Sequence, residues 1–291
     1  MKALVSGLLK VIPLPMKADY ARWTIPESLR EFFQNGRDAH TDGYAMSVSY
    51  DEDTKTLVIF NDGATLNRNV GLVLGSTTKA DDSSKIGYWG EGGKLAAGTL
   101  ISAGQTVEIF NGLGELWTFF IDYSEDFDTE MLHVRITDTD ACDGVEVRIT
   151  GLEKDDYLTS LKRCRWLNDD ADADVYASSL RGSMLKGEDN VGQLFVQGIW
   201  VSELPDGPWT FGYDLPDVQL DRDRRMVEPY ALKRKIRDVI NSAAHDGTLS
   251  ADELWEIFKG ESGESQNFNN PYIDTGSVHN AVFAAFVSEH G

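Results

Sequence analysis

The chain has 291 residues, 41% hydrophobic and 26% charged, a composition that excludes a disordered chain and allows one large or two modest folded domains. Its 48 acidic residues against 27 Lys and Arg give a formal net charge of −21. That charge argues against binding a nucleic-acid backbone, whose affinity comes from clustered cations, and suits either solubility or an acidic surface that imitates DNA or docks a basic partner.

Residues 1–22 read as an extended strap. Lys10 interrupts its apolar run and no small-residue cleavage site follows, which sets it apart from a secretory signal. No segment approaches the roughly 20 apolar residues of a membrane span. Cys142 and Cys164 stand in no metal-binding or redox spacing. A cytoplasmic protein with free thiols is the expectation.

Thr24 and Glu27 form the T-x-x-E of a capping box and Pro26 falls in the first turn, so a helix is predicted from about Thr24. Residues 44–50 and 56–60 alternate as two strands around the polar turn Asp51–Lys55. A long loop over about 62–90 is rich in Gly, Ser, Thr, Asp and Lys, and a helix is predicted at 91–103. Strands follow near 105–110, 115–122, 131–137 and 144–150, an order that predicts an α+β domain over residues 1–155.

In the second half, 155–167 reads as a helix, 168–190 as a polar connector, and 193–201 and 208–213 as strands. Asp221–Arg225 leads into a helix at about 229–244 opened by Pro229. A short helix at 251–259 is capped by Ser250 with Glu253 and stopped by Gly260. Residues 261–276 read as an exposed linker and 277–288 as a final apolar helix.

The chemistry gathers in the first half. At about 100° per residue, Glu31, Asn35 and Asp38 fall within a narrow arc, with Leu29, Phe32, Phe33 and Gly36 as the core stripe on the other side. A solvated face of an amphipathic helix has the same pattern. The chemical reading gives the residues separate roles. The amide oxygen of Asn35 is a hard ligand suited to Mg²⁺, and Glu31, one turn away, could orient and deprotonate a water attacking a terminal phosphate.

Farther on, Gly87-x-x-Gly90-x-Gly92-Gly93-Lys94 lets the backbone approach a polyphosphate, with a helix N-terminus behind it and Lys94 as a point charge. It is not a P-loop, because Gly87 and Gly93 are one residue too far apart and Leu95 stands where Ser or Thr is required. It is not a dinucleotide fingerprint either, since a polar loop rather than a strand precedes it. Gly75–Lys79 and Asp81–Lys85 have the small, polar character of a lid.

Together these motifs, across roughly residues 20–155, resemble the GHKL superfamily: DNA gyrase B, the ninety-kilodalton heat-shock chaperone, sensor histidine kinases and MutL. The resemblance implies the Bergerat fold, an α/β sandwich with a mixed, largely antiparallel sheet covered by helices. It further implies ATP with Mg²⁺, Glu31 as general base and Asn35 as magnesium ligand. The glycine motif looks closest to that of type IIB topoisomerases and microrchidia ATPases. Nucleotide contacts are then implied for Asn35, Asp38, Asn61, Asp62, Gly63, Lys79, Gly87, Gly90, Gly92, Gly93 and Lys94.

The base-binding end departs from the family pattern. Asn61-Asp62-Gly63-Ala64-Thr65 stands where the family has Asp-x-Gly-x-Gly, and Gly144-Val145 where it often has Gly-Thr. Asn61 can accept a hydrogen bond from an adenine amino group through its oxygen, and it can also donate.

Residues 156–260 resemble the transducer region of the gyrase, chaperone and MutL branch, followed by a linker and C-terminal helix at 261–291. A basic residue that senses the terminal phosphate is then to be sought among Arg222, Arg224, Arg225, Lys233 and Lys235. The histidine-kinase branch is disfavoured by the scattered histidines and the short stretch ahead of the domain. The leading expectation is a stand-alone, slow ATPase working as a nucleotide-driven clamp, with a nucleotide-dependent homodimer and an unidentified protein partner. The alternatives are a nucleotide-gated, non-hydrolysing binding protein that captures a partner through its acidic surface, or a protein kinase of the same superfamily.

Overall fold

Two sheets form, one in each of two compact units that divide between Lys162 and Arg163, and buried residues recur at every second position over 57–61 and 107–111. The computed structural model describes residues 7–17, 23–72, 92–168, 170–205, 207–216, 218, 229–268, 278, 280, 282, 283 and 286–288.

In the first unit the strands are β1 (Gly7–Lys17), β2 (Met46–Asp51), β3 (Thr56–Asp62), β4 (Thr106–Asn111), β5 (Glu115–Ser124), β6 (Thr129–Asp138) and β7 (Gly144–Thr150). They form one sheet in the order β1-β6-β5-β4-β7-β3-β2, antiparallel at every pairing. Residues 7–17 of the predicted strap are therefore an edge strand. Register explains the core: Leu57 and Val107 both pair with Ile149, Ile109 and Ile136 both pair with Trp117, and Phe119 pairs with Val134. Directly opposed residues share a face, and all of these are buried.

Helices α1 (Ile25–Thr41) and α3 (Gly92–Ser102) pack on the sheet and on each other, and α4 (Lys154–Lys162) packs on α1. A short helix, α2 (Arg68–Leu72), lies in the loop after β3. The capping box is formed: Thr24 Oγ1 accepts from the Glu27 N–H at 3.4 Å, and Glu27 Oε2 accepts from the Thr24 N–H at 2.7 Å. Leu29, Phe32, Phe33 and Gly36 are buried as the stripe predicts. The opposite face is not solvated, however. Arg30, Glu31, Gln34 and Asp38 are all at most 5% exposed, so α1 is enclosed nearly all round and Asn35 is the exposed member of the expected trio.

In the second unit β8 (Val175–Ser179), β9 (Gly182–Leu185), β10 (Gln193–Val196), β11 (Ile199–Glu203) and β12 (Gly212–Leu215) form a sheet in the order β11-β10-β12-β9-β8, with one parallel pair, β10 and β12. Its core joins Tyr213 and Leu215 of β12 with Ile236, Val239 and Ile240 of α5 (Pro229–His245) and Leu254 and Ile257 of α6 (Ala251–Phe258).

Four sequence expectations are corrected in this half. The helix over 155–167 stops at Lys162, because Arg163 and Arg165 bond instead to the backbone of Trp200 and Gly198, and only a 3₁₀ turn follows at Arg165–Leu167. The connector at 168–190 holds the β8–β9 hairpin, closed by the two-residue turn Leu180-Arg181. The strand over 193–201 is a second hairpin, broken at Gln197-Gly198, where both residues have positive φ (52° and 75°) as a tight primed turn requires.

The fourth correction concerns the expected linker at 261–276, which contains α7 (Gly263–Phe268); residues 269–276 lie outside the described set. Gly263 lies so close to Trp209 that a Cβ there would meet the ring at 2.5 Å. Glu264, fully buried, accepts from the N–H groups of Thr210 and Phe211 at 3.2 and 3.1 Å and from the Tyr213 hydroxyl at 3.3 Å. The carboxylate beside it and complete burial push the Tyr213 hydroxyl well above its ordinary range, burial being the larger cause. The residues of the final apolar segment that are described are helical, and Val278 packs into the same core.

Replacing Glu264 by Ala leaves the buried Phe211 N–H, the part-buried Thr210 N–H and the buried Tyr213 hydroxyl without their acceptor. The expected cost is about 3 kcal/mol of stability, read from urea unfolding of the full chain followed by tryptophan fluorescence. A loss below about 1 kcal/mol would show that water replaces the carboxylate at no great cost.

Candidate functional site

Glu31, Asn35 and Asp38 come from α1, Gly92, Gly93 and Lys94 from the first turn of α3, and Asn61, Asp62 and Gly63 from the end of β3 and its turn. Lys79, Gly87 and Gly90 lie outside the described residues. The structure brings the first two groups together. A Cβ added at Gly92 would stand 2.2 Å from Glu31 Oε2, and one at Gly93 would stand 3.4 Å from Asn35 Nδ2. Only a residue without a side chain fits at position 92 while Glu31 keeps its place. The N–H groups of a first helical turn have no partner within the helix. The first turn of α3 therefore lies directly over the carboxylate and amide of α1.

The charges at this junction are enclosed. Glu31 is 5% exposed, and its Oε1 accepts from Arg30 Nη2 at 3.4 Å. Asp38 is buried on the same arc. Lys94 is 4% exposed, and burial lowers its ammonium pKa to about 8 from an ordinary 10.5. A cation held at such a cost, beside an N-terminal helix turn, is suited to meeting an anion.

Asn61 settles its own donor–acceptor ambiguity. Its Nδ2 donates to the carbonyl oxygens of Gly36 (2.9 Å) and Tyr44 (3.3 Å), so both amide protons are used and the side-chain oxygen is what remains to meet a ligand. A carboxylate in the same place would face two carbonyl oxygens, which is a physical reason for Asn where the resemblance has Asp. The strand opposite lies close: a Cβ on Gly144 would meet Asn61 O at 2.2 Å, and Val145 pairs with Asn61 in register. Asp62 is exposed, and Gly63 takes a positive φ of 72° while its N–H donates to Asp143 O at 2.6 Å.

Two residues that sequence reasoning missed hold the following loop. Asn111 accepts from the Leu66 N–H at 3.0 Å and donates to Leu66 O at 2.7 Å. Glu115 accepts from Arg68 Nη2 at 2.6 Å and from Trp117 Nε1 at 2.7 Å. In the sequence Asn111 reads as one more turn residue, and nothing local reveals a partner 45 positions away. Arg30 was passed over for the same kind of reason, as a charge on an amphipathic helix.

Among the described residues no cluster of three or more His, Cys, Asp or Glu could hold a metal by itself, and no helix is long and apolar enough to cross a membrane. Of the basic candidates, Arg222, Arg224 and Arg225 lie outside the described residues, while Lys233 and Lys235 sit on α5. Lys235 lines a small hollow of about 90 Å³ with Leu180, Arg181, Pro216 and Asp238.

No protein-family model and no curated protein matches the chain. Among solved structures it is similar to the ATPase region of Saccharomyces cerevisiae topoisomerase II, at 11% identity over 61% of each chain with a TM-score of 0.38. It is also similar to that region bound to ICRF-187 (dexrazoxane), at 12% identity over 61% of this chain and 62% of the other, with a TM-score of 0.40. The chain thus spans about three-fifths of the length of the structures it matches.

The depressed pKa of Lys94 has a signed consequence. Between pH 8 and 10.5 the unfolded chain holds this proton and the folded chain releases it, so the stability penalty is full below about pH 8 and fades as pH rises to 10.5. An anion bound beside Lys94 raises its pKa again. Binding of inorganic triphosphate at pH 9 is therefore expected to take up a fraction of a proton, and affinity is expected to fall above pH 8. Calorimetry in buffers of different ionisation heat measures this uptake, and an uptake of zero in Lys94→Met but not in the parent assigns it. Equal uptake in both proteins would remove Lys94 from the site.

Proposed function

We propose that this chain binds ATP with Mg²⁺ at the junction of α1 and α3, hydrolyses the terminal phosphate slowly, and works as a nucleotide-driven conformational clamp. The observation that carries the reading is the seating of the first turn of α3 on Glu31 and Asn35, with no room for a side chain at Gly92. An N-terminal helix turn, a buried lysine, a carboxylate and an exposed amide are the donor set a magnesium–polyphosphate group requires.

In this reading the N–H groups of Gly92 and Gly93 and the ammonium of Lys94 receive the phosphates, and the Asn35 oxygen would hold Mg²⁺. A single protein ligand suits that ion, which keeps several waters and shares phosphate oxygens. Bound there, Mg²⁺ would neutralise charge on the phosphate oxygens. Glu31 takes a proton from water as the water oxygen bonds to the terminal phosphorus, and the bond to the leaving ADP oxygen breaks with its electron pair. The Asn61 oxygen accepts from the amino group of adenine, and Asp62 and Gly63 line the same end. Asp38, about two turns farther along the same side of α1, is likewise buried.

The clamp reading comes from chain order: the expected lid at about 62–90, with Lys79, Gly87 and Gly90, lies in the sequence between Asn61 and Gly92. Its closure over ATP would limit turnover and favour a homodimer, acting with an unidentified protein partner in the cytoplasm; capture of a partner through the acidic surface belongs to the alternative, non-hydrolysing reading.

Two substitutions test the roles. Glu31→Ala is expected to lower hydrolysis by roughly 10²-fold or more and to spare ATP binding, and turnover at the parent rate would remove Glu31 as the base. Asn35→Ala is expected to weaken binding only when magnesium is present. Equal affinity of parent and variant in magnesium would take Asn35 out of the metal site. Partner capture that requires ATP and survives Glu31→Ala, in a protein with no turnover, would favour the non-hydrolysing reading.

A further inference from the structure

Arg30 and Glu31 are neighbours in sequence, and side chains of adjacent helical residues do not ordinarily face each other. Here they meet, at 3.4 Å between Nη2 and Oε1, with side chains only 3% and 6% exposed. The second oxygen of the same carboxylate, Oε2, lies on the side of α3, against Gly92. One oxygen is thus tied to a guanidinium on its own helix while the other is presented to the first turn of α3. Turning the carboxylate about its Cγ–Cδ bond would carry Oε1 away from its charge-assisted partner. A buried guanidinium is costly to desolvate, and an apolar residue of similar volume would pack at less cost. Packing alone is therefore a poor explanation for a cation at position 30.

The geometry points to Arg30 as a positioning residue for the base, an inference that rests on the reading of Glu31 given above. Arg30 does not touch the nucleotide. It fixes one carboxylate oxygen so that the other is held toward the end of α3, where the water that attacks the terminal phosphate would stand. Its effect then belongs to the chemical step and not to nucleotide affinity.

The test is steady-state hydrolysis and ATP binding by the full chain carrying Arg30→Met, Arg30→Lys or Arg30→Met with Glu31→Gln, beside Glu31→Gln alone. Arg30→Met is expected to lower kcat about tenfold or more while KM and ATP affinity stay within about twofold. Arg30→Lys, which keeps a cation within reach, is expected to recover a large part of the loss. In the Glu31→Gln background Arg30→Met is expected to lower kcat no further.

Parent kcat in Arg30→Met, equal kcat for Met and Lys, or a loss that appears in KM alone would overturn the inference. Should Arg30→Met fail to fold, Arg30→Gln takes its place, and equal kcat for Gln and Lys has the same meaning. The two claims fail separately. A Glu31→Gln variant that hydrolyses at the parent rate, or a parent that does not hydrolyse ATP, overturns both. An inactive Glu31→Gln beside a fully active Arg30→Met overturns only the role of Arg30.

Discussion

Everything proposed for this chain depends on one close approach, the first turn of α3 lying against α1 where Gly92 meets Glu31. A side chain at position 92 would occupy the space of the Glu31 carboxylate, and the first turn of α3 would then be separated from the acid and the amide. The sheet makes the approach possible. It gives both helices one apolar floor, built from Leu57, Ile59, Val107, Ile109 and Ile149, so packing on the sheet sets their separation. Gly36 serves the same end from the other side of α1, since a Cβ there would meet Met46 Cε at 2.7 Å.

The first unit was largely legible because its elements carry local signals. The Thr24–Glu27 box starts α1, alternation marks β2 and β3, strand-like runs mark β4 to β7, and the spacing of Glu31, Asn35 and Asp38 places them on one arc. What local signals cannot carry is enclosure. Arg30, Glu31, Gln34 and Asp38 have the composition of a solvated face, yet α1 is packed on both the apolar and the polar side. A polar residue in a helix reads the same whether water or protein lies opposite. The second unit was harder for a related reason. Its strands are four or five residues long, and its hairpins turn at Leu180-Arg181 and Gln197-Gly198, which lack the usual turn residues or carry only one of them. Glu264 and Ser265 look like linker residues until the backbone of Thr210 and Phe211 is seen to need an acceptor.

Asn61 shows how a departure from a family pattern can be reasoned about physically. In isolation an amide is an ambiguous substitute for a carboxylate, because it offers both a donor and an acceptor. The carbonyl oxygens of Gly36 and Tyr44 remove the ambiguity by taking both protons. The same two bonds tie the end of β3 to the middle of α1 and to the residues after it, so the two ends of the proposed site share one helix as their common support. The oxygen that is left accepts and cannot donate, so in the proposed site it would favour a base with an amino group over one with a carbonyl.

The most direct test of the site is calorimetric titration of the full chain with ATP and with ITP, each with and without magnesium. ITP differs in carrying a carbonyl where ATP has its amino group. Magnesium-dependent binding of ATP, tighter than that of ITP by about tenfold or more, is the result expected if α1, α3 and Asn61 form one nucleotide site. Absence of ATP binding in magnesium would contradict the site itself, and equal affinity for the two nucleotides would contradict the role of Asn61.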